Sequence, residues 1–144
     1  MTDSTNKPTT GFWVISVIAL IWNLMGVMAY VGQAYMTDEA LSALPEAEQA
    51  LYENIPAWAT AAFAIAVFGG ALGSLLMLLK KKMASTIFTI SMLGIIVQMI
   101  YNLFMSKATE VYGPGGMVMP IMVIIIGAFL VWYSKKATSN GWLS

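Results

Sequence analysis

The chain holds no cysteine, no histidine and no arginine among its 144 residues. The missing cysteine excludes disulfides and thiol chemistry, and with the missing histidine it excludes the usual zinc and haem ligand sets. A Ser-His-Asp triad is excluded as well. Charge is scarce: Asp, Glu and Lys together make up 10% of the residues, against roughly 25% in a soluble domain. Seven Lys balance seven acids, so there is no basic footprint and no nucleic-acid partner is expected. What remains is apolar. Hydrophobic residues reach 59%, and the mean hydropathy is +0.77.

Those apolar residues come in membrane-spanning lengths. A helix needs about 20 of them to cross ~30 Å of hydrocarbon at 1.5 Å per residue. Four stretches qualify, 11–32, 57–79, 85–105 and 117–133, and none contains Asp, Glu or Lys. Pro120 lies in the first turn of the fourth, where a missing N–H costs little. Lys80, Lys81 and Lys82 form a tight basic turn between the second and third stretches, and Gly113-Pro114-Gly115-Gly116 breaks the chain before the fourth. The longer connection, 34–56, carries Leu41, Leu44, Glu48, Leu51 and Ile55 at near-helical spacing. Pro45 can open a short helix there, with Glu46 and Glu48 in its favourable first turn. Such an amphipathic segment would lie on the membrane surface; an ordinary polar loop is the other reading. The expected fold is all-α, one integral membrane four-helix bundle with tails at 1–10 and 134–144. Its first partner is the lipid bilayer.

The lysines give an orientation. Lys7, Lys80 to Lys82, Lys135 and Lys136 fall on one side, with Lys107 alone on the other. That far side carries Asp38, Glu39, Glu46, Glu48, Glu53 and Glu110. Both termini are therefore expected in the cytoplasm of a bacterial inner membrane. Phe12, Trp13, Trp132, Tyr133 and Trp142 mark the inner interface, and Tyr35, Tyr52, Trp58 and Tyr112 the outer one. Gly32-Gln33-Ala34 loosely fits a signal-cleavage site. The weak basic segment and the long apolar stretch before it instead favour retention of the first span.

Small residues must supply close packing between helices in lipid. In the second span Ala62, Ala66, Gly69, Gly70 and Gly73 recur at spacings of three and four, and Gly69 to Gly73 is a GxxxG. This face serves packing within the bundle or a homo-oligomer interface. Two polar stripes lie on the odd spans. Asn23, Gly26, Tyr30 and Gln33 share a face of the first. Ser91, Gly94, Gln98, Tyr101 and Asn102 share a face of the third. A shift of 68 residues superposes Gly26 on Gly94, Asn23 on Ser91, Tyr30 on Gln98 and Gln33 on Tyr101, as two duplicated hairpins would. Amides in hydrocarbon need partners. Either the stripes bond to each other, Asn23 to Ser91 or Gln98, or they enclose a pocket for a neutral polar molecule such as a sugar.

No ionisable residue lies at membrane depth, which weighs against ion-driven transport. Small multidrug exporters need an acid in the first helix, and none is present. Four-span fluoride channels follow their glycine run with an arginine, which this chain lacks. The Pro-Gln signature of small sugar-conducting half-transporters does not occur. Enzymatic activity and a cofactor are not expected, because paired acids, a His, or a Ser with a base are missing from the spans.

Across nearly its full length the chain resembles a group of small, uncharacterised four-helix bacterial inner-membrane proteins, sometimes labelled sugar transporter. The resemblance rests on Trp22-Asn23-Leu24-Met25-Gly26, on 59–70, on Val97-Gln98-Met99-Ile100-Tyr101-Asn102, on Tyr112-Gly113-Pro114-Gly115-Gly116 and on Gly141-Trp142-Leu143. The layout is also like that of four-helix DoxX-type proteins, by architecture only. The resemblance implies no catalytic, cofactor or metal residue. Three functions are consistent with these features: a non-enzymatic membrane protein packing with itself or a complex, a facilitator or binding protein for a neutral polar solute, and, more remotely, a membrane enzyme.

Overall fold

The computed structural model describes residues 7–106 and 108–144. Asp3 and Lys107, which entered the charge reading, lie outside the described residues. The described chain is helical, with four long α-helices, three short ones, a π-helical turn and a 3-10 turn at Pro114–Met117. The long ones are α1 (Thr10–Ala34), α4 (Ala57–Leu78), α5 (Met83–Ile100) and α7 (Val118–Ser139). All four are long and apolar enough to cross a membrane, α5 together with the turn that follows it. This is the architecture of a multi-pass membrane protein.

Local chemistry sets the helix ends. Thr9 caps α1, its side chain accepting from the Phe12 N–H at 3.1 Å. Helix α4 closes on Lys80, which takes a φ of 61° so that the Lys81 N–H reaches back to the Leu76 carbonyl at 2.8 Å. Helix α7 runs past the last apolar residue of its span to Ser139. Lys135 and Lys136 are exposed there, and Lys136 lies over the Trp132 ring at 5.0 Å. Charge ends an apolar stretch, but it does not end a helix. Gly141, at φ 80°, then turns the chain so that Trp142 N–H bonds the Ala137 carbonyl at 2.9 Å. Ser144 pairs with the basic turn through Lys80 and Lys82, at 3.0 and 3.1 Å. The α4–α5 turn and the end of α7 are thereby clipped together.

The helices pack in the order α1, α4, α5, α7, with the α4–α5 face the most extensive. Small residues explain that order. A Cβ on Gly94 would lie 2.9 Å from both the Ala62 carbonyl oxygen and the Ala66 nitrogen, so α5 rests on the backbone of α4. Gly69 and Gly73 face Ser91 and Phe88 of α5. The GxxxG is thus occupied within the chain. On the other side of α4, Gly70 lies against the Asn23 carboxamide, and Gly26 of α1 lies against Val67. The positions matched by the 68-residue shift, Asn23 with Gly26 and Ser91 with Gly94, both grip α4.

The bundle is plugged at its basic end, where Lys80 to Lys82, Lys135 and Lys136 lie. Phe12, Met77, Phe88, Leu130 and Tyr133 form one buried cluster there. Phe12 stacks on Tyr133, with centroids 6.3 Å apart, and joins α1 to α7. At the acidic end lie the short helices α2 (Asp38–Ser42), α3 (Glu46–Glu53) and α6 (Ala108–Tyr112). Helix α3 starts right after Pro45, with Glu46 and Glu48 in its first turn. Helix α2, capped by Thr37, is an element the spacing of the loop did not indicate. Helix α3 packs on α6, and together they cover the acidic end.

Candidate functional site

Above the plug the four long helices separate around a cavity of about 380 Å³, within the 300–1,000 Å³ typical of small-molecule sites. Helix α1 supplies Trp22, Asn23, Met25 and Ala29, and α4 supplies Phe63 and Val67. Helix α5 supplies Ser91, Gln98, Met99 and Asn102, and α7 supplies Met119, Pro120, Val123 and Gly127. Among the described residues, no Asp, Glu or Lys lines it. Gln98 lies roughly 22 Å along α5 at 1.5 Å per residue, beyond mid-span toward the acidic end.

The polar lining divides into spent and free groups. The Ser91 hydroxyl donates to the Ala66 carbonyl at 2.6 Å. The Asn23 amide donates to the Ala19 carbonyl at 2.8 Å and to the Ser74 hydroxyl at 3.2 Å. Asn23 and Ser91 therefore do not bond each other: each is tied to α4, which stands between them. Gln98 and Asn102 differ. Among the described residues, no hydrogen bond reaches either side-chain amide. Among the described residues, no side-chain nitrogen or oxygen sealed from solvent lacks a partner, so these two amides open into the cavity. An amide in an apolar enclosure needs a partner to offset its desolvation, and here a guest or water must supply it.

A second, smaller cavity of about 220 Å³ follows toward the acidic end. Asn102 and Pro120 line both cavities, so the two lie in series as a chamber and a vestibule. Gln33, Tyr52, Tyr101, Ser106 and Tyr112 line the vestibule, and Leu51 of α3 helps to roof it. The chain forms a π-helical turn over Tyr101–Met105, closed by the Ser106 N–H on the Tyr101 carbonyl at 2.7 Å. Such wide turns re-aim side chains and are frequent at functional sites. Tyr101 donates to the Asn54 carbonyl at 3.3 Å and meets Trp58 edge-on at 5.6 Å. Tyr112 lies beside Glu48 across the α3–α6 contact. Desolvation, then the hydrogen bond and negative charge of Glu48, push its phenol up to about 12.

Of the residues singled out from the sequence, Asn23, Ser91, Gln98 and Asn102 line the chamber, and Gln33, Tyr101 and Asn102 line the vestibule. Tyr30 lines neither. Its ring is edge-on to Phe63 at 5.4 Å and to Phe68 at 5.6 Å, where it backs Phe63. The α7 wall was not anticipated, because it carries no polar residue. Its trace in the sequence is Pro120, Val123 and Gly127 on one face. A Cβ on Gly127 would lie 2.8 Å from Ile95. Compared with protein-family models, curated proteins and solved structures, the chain matches none.

Proposed function

We propose that this chain is a non-enzymatic membrane protein that binds a neutral small molecule in the chamber between its four helices. One observation carries the reading. The side-chain amides of Gln98 and Asn102 have no hydrogen-bond partner among the described residues and open into a cavity with no ionisable lining. Burying a charge without a partner costs far more than burying a neutral hydrogen-bonding group, so the guest is uncharged. Asn102, at the junction of chamber and vestibule, and Gln98, one turn deeper, are the contact groups. The plug of Phe12, Met77 and Tyr133 closes the other end. Facilitated passage would require that plug to open.

Both termini are proposed to face the cytoplasm of a bacterial inner membrane. The basis is the collection of Lys80 to Lys82, Lys135 and Lys136 at one end and of the acids at the other. The chamber then lies toward the outer leaflet.

The test reconstitutes the wild type and a Gln98→Leu, Asn102→Leu double variant and measures binding and flux of a panel of neutral solutes. Saturable binding by the wild type, lost in a variant that still folds, supports the reading. Flux in addition makes the protein a facilitator. Equal behaviour of the two proteins removes it. A second reading, a protein held in a larger complex, is favoured by α1. Only 11% of its most apolar window is buried, and Val14, Ile18, Met25 and Met28 face outward.

A further inference from the structure

Two features of the chamber remain unused by that reading: where it opens, and how its lining changes along the axis. Met25 of α1 and Met119 of α7 both line it, yet they are 59% and 57% exposed. They therefore form a rim. Helices α1 and α7 are joined at the basic end through Phe12 and Tyr133, and above that junction the chamber separates them. The rim thus faces sideways, along apolar helix surface, toward the bilayer rather than toward water.

The lining is also graded. The deep part is largely apolar, formed by Trp22, Phe88, Ile126 and Leu130, and its two polar side chains, Asn23 and Ser91, are already bonded to the helices. Among the described residues, side-chain amides without a protein partner begin at Gln98 and Asn102, and polarity increases in the vestibule at Gln33 and Tyr101. A lipid in the adjoining leaflet has the same gradient, with its chain toward mid-membrane and its head toward the interface. A sugar suits the chamber poorly, since beyond the Gln98 and Asn102 amides most of its hydroxyls would meet apolar wall, and each unpaired hydroxyl is costly. Methionine walls suit a flexible chain, because their own side chains adapt. Among the described residues neither cavity offers a cation to an anionic head, and the Glu48 carboxylate beside Tyr112 opposes one.

We infer that the occupant is a neutral lipid entering from the bilayer between α1 and α7, its hydroxyl- or carbonyl-bearing head at Asn102 and the vestibule and its chain in the chamber. This inference rests on the proposed binding role of the chamber and specifies its ligand.

Trp22 provides the reporter, since it lines the chamber. The full chain, with Trp13, Trp58, Trp132 and Trp142 changed to Phe, is reconstituted in phosphatidylcholine vesicles. A monoacylglycerol brominated on its chain is the probe. Quenching of Trp22 is expected to saturate at a mole fraction about tenfold below that needed with brominated phosphatidylcholine, the difference expected of one or two added hydrogen bonds. Gln98→Leu with Asn102→Leu is expected to abolish that preference. Ala29→Phe obstructs the rim at an exposed position, and it is expected to weaken saturable quenching without touching the amides. It serves if the double variant fails to fold. Equal quenching by both brominated lipids overturns the inference. So does a Trp22 response to glycerol or glucose with none to the lipid, although the binding role then stands. No response to lipid or solute removes both.

Discussion

Gly94 decides how close two helices come. Any side chain there meets the α4 backbone at 2.9 Å, and backbone cannot rotate away. Gly94→Ala is expected to destabilise the bundle by about 1–3 kcal/mol, read by reversible unfolding in mixed micelles. Gly32, with nothing within 4 Å of a Cβ, is the control. There Ala is expected to be neutral or to gain up to ~1 kcal/mol from helix propensity. Equal losses at both sites would contradict the packing described. That Gly94 serves packing was legible as a small residue within a span, but which helix it met was not. The polar stripe on α1 was legible too, yet it splits in the fold. Asn23 bonds α4, Tyr30 lies between two phenylalanine rings, and Gln33 reaches the vestibule. Helical spacing places residues on a face, while neighbouring helices decide what each one touches.

The four long helices could be read from uncharged runs alone, because lipid admits few alternatives to a helix. The π turn at Tyr101–Met105 could not, since nothing in its composition separates it from α-helix. Nor could the cavity face of α7, whose lining is apolar and looks like any lipid-facing surface. The cover at the acidic end carries its own prediction. The Tyr112 phenol, raised from 10.0 to about 12 beside Glu48, keeps its proton where an unfolded tyrosine loses it. Stability of the α3–α6 contact is therefore expected to fall as pH rises from about 10 to about 12. The ultraviolet tyrosinate titration of the wild type minus that of Tyr112→Phe is expected to show one phenol near 12. A difference curve centred on 10 would mean that the phenol is neither desolvated nor set against Glu48.

Over the whole molecule, a net charge of zero conceals a strong polarity. Among the described residues, lysines gather at one end of the bundle and acids at the other, and the apolar spans between them carry no charge. Lys81 is expected to be shielded from an impermeant amine reagent in intact cells and labelled once the inner membrane is opened; labelling in intact cells would reverse the orientation. The same division leaves an uncharged chamber between the ends, with the Gln98 and Asn102 amides open to a guest. Native mass spectrometry of the protein released from membranes addresses that chamber most directly. The wild type is expected to carry one neutral small-molecule adduct, absent from a folded Gln98→Leu, Asn102→Leu variant with the same unfolding midpoint. Identical adduct patterns in the two proteins would show that Gln98 and Asn102 hold no guest.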